Sequence, residues 1–222
     1  MRPAVVPAAK VSAHDAMTDF FVLLNEPRLP WLDADSLKEK FLPLSAPFHP
    51  DRVHNASEAE KLSANQRYAE LNAAYNVLRE PKERLLHLLE LELSQKPSDI
   101  QKIPPGTMDL FVEVGQTCRD VDGFLTEKAK VTSPMLKVQL FERGQEWTDQ
   151  LNALQQKINL KRDELSSELK NLNSIWKSAP AIGSPDRRVA LPLERLEQIY
   201  RVFSYIARWS EQIQERVVQL SF

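Results

Sequence analysis

The chain has 222 residues, 42% of them hydrophobic and 27% charged, which suits one large packed domain or two small ones. Its 29 Lys and Arg nearly balance its 31 Asp and Glu, and a net charge of -2 gives no global reason to expect a nucleic-acid partner. One cysteine, Cys118, excludes an internal disulfide and a CxxC zinc pair, and five glycines, none before Gly106, leave no GxGxxG or GxxxxGK[ST] phosphate cradle.

Residues 1–15 are apolar in part but broken by Pro3, Pro7 and Lys10. That run is too short and interrupted for a signal core or a membrane span, so a flexible tail and a reducing, cytoplasmic setting are expected. A short apolar helix is expected over Ala16 to Leu24, ended by Asn25-Glu26-Pro27. A second helix starts after Asp33 or Asp35, either of which can cap it. Its stripe is Leu37, Phe41, Leu44 and Phe48, which share one face. His49-Pro50-Asp51-Arg52 follows as a loop. A third helix opens on a capping box, Ser57 to Glu60, and offers Leu62, Tyr68, Leu71, Ala74, Tyr75 and Leu78 as its buried face. A fourth, Pro81 to about Leu93, carries Leu85, Leu88 and Leu89.

Residues 96–106 hold Pro97, Pro104 and Pro105 and read as a linker. Beyond it, Thr107 can cap a helix striped by Phe111, Val114, Cys118, Val121 and Leu125. Ser133-Pro134 opens a longer one, with Trp147, Leu151, Leu154, Ile158, Leu165, Leu169, Leu172 and Trp176 and a bend expected near Gly144. After a loop over 178–191, a last helix from Pro192 repeats Leu196, Ile199, Phe203, Ile206, Ser210, Ile213, Val217 and Leu220, with Ser210 the one polar slot. The fold class is therefore all-α. A helical hairpin over 16–95 is followed by an antiparallel, coiled-coil-like three-helix bundle over 107–222. None of the long helices reads as apolar all round, so none is expected to sit in a membrane. Cys118 is expected to be buried and inert, and Trp147, Trp176 and Trp209 to be packing residues.

His49-Pro50-Asp51 gains weight from its surroundings. It directly follows the L-x3-F-x2-L-x3-F stripe, and the third helix reads Tyr68-x2-Leu71-Asn72-x-Ala74-Tyr75-x2-Leu78-x2-Pro81-x2-Arg84. Over about Ala16 to Leu93 this resembles the J domain of the DnaJ superfamily. The run Arg84-Leu85-Leu86-His87-Leu88-Leu89-Glu90-Leu91 is similar to the HscB type, the co-chaperone of iron–sulfur cluster assembly, in which a short linker leads to a three-helix C-terminal domain.

The resemblance implies a partner, a DnaK-type ATPase chaperone of the seventy-kilodalton heat-shock class, whose ATP hydrolysis such proteins stimulate. His49, Pro50, Asp51 and Arg52, with Lys38 and Lys40, would contact it, Asp51 pairing with a chaperone arginine. It also implies a client, an iron–sulfur scaffold protein, with Leu110, Phe111 and Val114 as candidate contacts. The competing reading makes those three bundle core.

The chain departs from the J pattern before the HPD. The usual basic face is reduced to Lys38 and Lys40 beside Glu39, and Pro43 and Pro47 interrupt the stretch, so the helix is expected to break near Leu42. That favours a retained fold over strong stimulation, and weak electrostatic steering. An alternative is a J-like scaffold or adaptor that works through protein–protein contacts of the bundle, self-association included. An enzyme using His49 and Asp51 as acid and base would need further groups converging on a pocket. No catalytic residue, metal ligand or cofactor is assigned from the sequence.

Overall fold

The computed structural model describes residues 18–97, 103–104 and 106–221. The expected tail, the first residues of the expected first helix and the middle of the expected linker lie outside the described residues. Among the described residues there are helices and connections but no strand.

The helix α1 (Phe20–Leu23) is a single turn, capped by the Asp19 carboxylate, which accepts from the N–H groups of Phe21 and Val22. It stops where Asn25 takes the left-handed conformation, φ 54°, which asparagine tolerates better than most residues. Asp33 caps α2 (Ala34–Ser45) by accepting from Ser36 N–H. The expected break near Leu42 does not occur, because Pro43 lies on the exposed side of α2. The Glu39 carbonyl that loses its donor there is on the same water-facing side. The chain then tightens into a 3-10 turn over Ala46–Phe48, which contains Pro47, and enters a one-turn helix, α3 (Pro50–Val53).

Next, α4 (Glu58–Arg79) begins on the reciprocal capping box of Ser57 and Glu60. Its buried stripe is Ala64, Leu71, Ala74 and Leu78. Leu62, expected in that stripe, is 71% exposed. Nine residues before Leu71, at about 100° per residue, it falls half a turn away from the core. Phe41 of α2 stacks on Tyr75 of α4 with ring centroids 4.4 Å apart, closing the hairpin. Then α5 (Pro81–Leu93) buries Leu85, Leu88 and Leu89 together with three polar residues, Arg84, His87 and Glu92.

The bundle consists of α6 (Met108–Lys130), α7 (Pro134–Ser178) and α9 (Leu193–Leu220), with a one-turn α8 (Arg187–Ala190) inside the loop before α9. Ion pairs give the register. Glu113 pairs with Lys157 and Glu127 with Arg143, so α6 and α7 run antiparallel. Glu168 pairs with Arg195, which makes α9 antiparallel to α7. Asp122 with Arg216 and Phe111 with Tyr205 share one offset in sequence, so α6 and α9 are parallel.

The core stripes follow the sequence pattern closely. Val114, Cys118 and Val121 are buried on α6, where Phe124 takes the place expected for the half-buried Leu125. Burial pushes the Cys118 thiol above its usual range. Trp176 and Trp209 are buried and Trp147 half-buried. The polar slot at Ser210 accepts from Gln155 Nε2 at 3.0 Å and from Arg162 Nη2 at 3.3 Å.

Two expected caps do not form. Thr107 turns its hydroxyl back to donate to the Pro104 carbonyl at 2.7 Å, and the Ser133 side chain makes no capping bond. At Gly144 α7 is uninterrupted; the position is buried against the Phe124 ring.

The hairpin and the bundle share one hydrophobic core. On its outer face α5 lies against α9. Arg187 donates to both carboxylate oxygens of the buried Glu92, at 2.8 and 2.9 Å, and also to the Pro180 carbonyl. Arg188 donates to the Glu92 carbonyl. Trp31 and Asn173 exchange two hydrogen bonds, at 3.0 and 2.9 Å, and Lys170 sits over the Trp31 ring. Among the described residues no helix is long and apolar enough to cross a membrane.

Candidate functional site

The hairpin of α2 and α4 carries His49, Pro50 and Asp51 at its bend. His49 is the N-cap of α3: its Nδ1 accepts from the Asp51 N–H at 3.3 Å. Pro50 holds the first position of that turn, where its missing N–H costs nothing. The imidazole meets the Tyr68 ring of α4 edge-on at 5.4 Å, which fixes the cap to the long helix. His54 closes the same turn from behind, its Nδ1 lying 2.7 Å from the Asp51 carbonyl.

Asp51 is left with its side chain 89% exposed. Among the described residues its carboxylate has only the His49 Nδ1, at 3.6 Å, for company. The bend is thus a short, doubly pinned turn that presents one carboxylate to solvent. Such a group can accept a bidentate hydrogen bond from a guanidinium on another protein.

The surrounding cations contribute unequally. Arg52 and Lys38 are exposed and make no ion pair among the described residues. Lys40 turns toward the connection after α1, where it pairs with Glu26 at 2.9 Å.

The hairpin is braced from inside by groups whose roles the sequence did not reveal. Arg84 is buried and donates to the carbonyls of Pro30 and Leu78, at 3.0 and 2.7 Å, tying the α1–α2 connection to the end of α4. Loss of solvation pushes it down to about 10. His87 is also buried; its Nε2 accepts from Phe20 N–H at 3.1 Å and its ring stacks on Phe20 and Phe21. Burial holds its pKa below the ordinary value, with Asp19 opposing and Arg28 adding to the shift. The signal for both was only a polar residue inside an apolar run.

The second set of candidates divides. Val114 is 1% exposed and belongs to the bundle core, because the α6 stripe that contains Cys118 and Val121 also contains position 114. Leu110 is half-buried against the same core. Phe111 is 40% exposed, contrary to its place in the expected core stripe, since it falls just past the edge of the buried arc set by Val114, Cys118, Val121 and Phe124. It meets Tyr205 of α9 edge-on at 6.3 Å. Phe111, Tyr205 and Trp209, with Arg119 and Arg208, line a groove of about 370 Å³ between α6 and α9. The α9 side of that groove carries no local sequence signal, because it depends on the parallel register of the two helices.

No protein-family model matches the sequence. Among solved structures, the chaperone HscB from Vibrio cholerae superposes with a TM-score of 0.57 at 20% identity, over 89% of this chain and 96% of that one. The human co-chaperone protein HscB gives a TM-score of 0.56 at 20% identity, over 90% of this chain and 82% of that one. The chain has the HscB fold. The likeness extends over both the hairpin and the bundle. Within the HscB fold, the exposed carboxylate of Asp51 lies at the bend of the hairpin and the Phe111 groove on the bundle.

Proposed function

We propose that this protein is a J-type co-chaperone. It docks a DnaK-type ATPase chaperone at His49-Pro50-Asp51, stimulates ATP hydrolysis by that chaperone, and presents a client on the bundle. The observation that carries the reading is the free carboxylate of Asp51 on a turn pinned by Pro50, Tyr68 and His54. A partner arginine would gain a charge-assisted contact there without the loop having to be ordered first.

Arg52 and Lys38 flank the contact, and Lys40 contributes through its hold on Glu26. The client surface is the α6–α9 groove around Phe111, with Val114 supporting it from the core, and Leu110, one residue along α6, is a further candidate contact. An iron–sulfur scaffold protein is the client class that the likeness to HscB suggests.

The deciding experiment is single-turnover ATP hydrolysis by the host's DnaK-type chaperones with and without this protein. Wild type is expected to raise the rate and Asp51→Asn to abolish the increase. Equal stimulation by both would overturn the assignment.

A second reading, an adaptor without ATPase stimulation, is favoured by one observation: the basic face of α2 is thin, with Lys40 engaged at home by Glu26. No stimulation by wild type, together with a stable complex formed through the bundle, would select it.

A further inference from the structure

We propose that the free end of the bundle docks on an anionic lipid surface. That end is formed by the last turn of α6, the connection over 131–133, the first two turns of α7 and the last turn of α9. Met135, Leu136, Val138 and Phe141 are 76, 48, 63 and 64% exposed. At about 100° per residue these four radiate around most of the helix, and the side they leave out holds the buried Leu140. Over the full length of α7 the pattern is amphipathic, but over its first two turns exposed apolar side chains spread across about 220° of the circumference, with Gln139 among them and Lys137 at their edge. A helix with that property is normally covered by something. One partner helix would cover a narrower face than that arc, whereas an interfacial lipid layer can follow its whole width.

The charge on this end selects the kind of surface. From Lys128 to Phe141 the chain has three lysines and no carboxylate. Lys130 and Lys137 are exposed, and Lys128 reaches the Leu220 carbonyl at 3.1 Å. Glu127, next before them, is bound to Arg143. The first turn of α7 has no acidic residue and no side-chain cap, so the positive end of its dipole is uncompensated. Exposed apolar side chains flanked by Lys130 and Lys137, with one exposed carboxylate, Glu142, beside them, match anionic phospholipid headgroups over acyl chains. A second copy would set lysines against lysines. The end lies about 57 Å along α7 from Asn173, at about 1.5 Å per residue, which keeps the hairpin clear of such a surface. The mode is peripheral, since no helix among the described residues can cross a bilayer.

The test is co-sedimentation of the full chain with phosphatidylcholine vesicles, with and without phosphatidylserine. Binding is expected only to the serine-containing vesicles, and it should weaken as salt is raised. A lysine near an anionic surface contributes about fivefold to partitioning (about 1 kcal/mol), so Lys130→Glu with Lys137→Glu should reduce binding by at least about 25-fold. Leu136→Ser with Phe141→Ser should reduce it as well. All four positions are exposed, and circular dichroism of the variants verifies that they fold. No binding to serine-containing vesicles, or binding that neither pair of substitutions changes, overturns the proposal. Self-association in sedimentation equilibrium that Phe141→Ser abolishes, or capture of an acidic amphipathic peptide, overturns it where vesicles fail to bind.

Discussion

Glu92→Gln perturbs the contact that fixes the hairpin to the bundle. In the wild type the Glu92 carboxylate accepts from Arg187 Nε and Nη2, and both side chains are less than one-tenth exposed. Glutamine keeps the volume but removes the charge, and its amide NH2 faces a guanidinium that can only donate. Arg187 would then hold a buried positive charge with the Pro180 carbonyl and one amide oxygen as its acceptors. Removing one partner of a buried pair costs about 3–5 kcal/mol, and the retained amide oxygen puts the expectation at about 3. Total stabilities of about 5–15 kcal/mol make that a large fraction. A variant with Glu92→Leu and Arg187→Met removes both charges together and is expected within about 1 kcal/mol of wild type, because two desolvation penalties vanish along with the attraction. Urea unfolding followed by circular dichroism gives both values, and amide exchange on α5 reports whether the joint itself has loosened. A Glu92→Gln shift under about 0.5 kcal/mol, or a double variant as weak as the single one, would refute the reasoning.

Gly144→Ala should stabilise the protein by about 0.5–1 kcal/mol, since alanine favours a helix interior by about that much over glycine. The added Cβ would meet the Phe124 ring at 3.8 Å, an ordinary contact, and a lowered urea midpoint would contradict the packing described for α6 and α7. His87 makes stability depend on pH. Its folded pKa is held below 6.5, so between the two values the unfolded chain binds more protons than the native one. The contribution is complete above pH 6.5 and is lost as pH falls through the depressed value, where protonation also takes the acceptor from Phe20 N–H. An NMR titration of the His87 ring with a midpoint at or above 6.5 would count against this.

Periodicity made most of the fold legible because the stripes that alternate by three and four are also the buried ones. Leu151, Leu154, Ile158, Leu165 and Leu169 on α7 and Leu196, Ile199, Phe203, Ile206 and Ile213 on α9 are all core. Less legible were the residues whose chemistry depends on which side of a helix they face. Pro43 looked like a helix breaker, yet on the exposed side of α2 the carbonyl it orphans can turn to water. Leu62 and Phe111 are apolar but fall off their stripes, and hydrophobicity without the helical angle cannot tell. Thr107 had the identity of a cap but found a better acceptor behind it in Pro104.

The HPD bend was readable for a related reason: His49, Pro50 and Asp51 do their local work on each other and on the adjacent turn. What was not readable is everything that makes the bend rigid at long range. Tyr68 supports His49 from the next helix, Arg84 ties α4 to the connection before α2, and Glu92 meets Arg187 from far along the chain. Each is a polar or aromatic side chain at a position where the pattern asks only for something buried. These contacts convert a three-residue motif into a fixed direction for the Asp51 carboxylate relative to the groove at Phe111. The proposed function would require those two surfaces to be held at a set geometry. The buried Glu92–Arg187 pair, with Arg188 on the Glu92 carbonyl beside it, ties α5, at the end of the hairpin, to the loop that leads into α9.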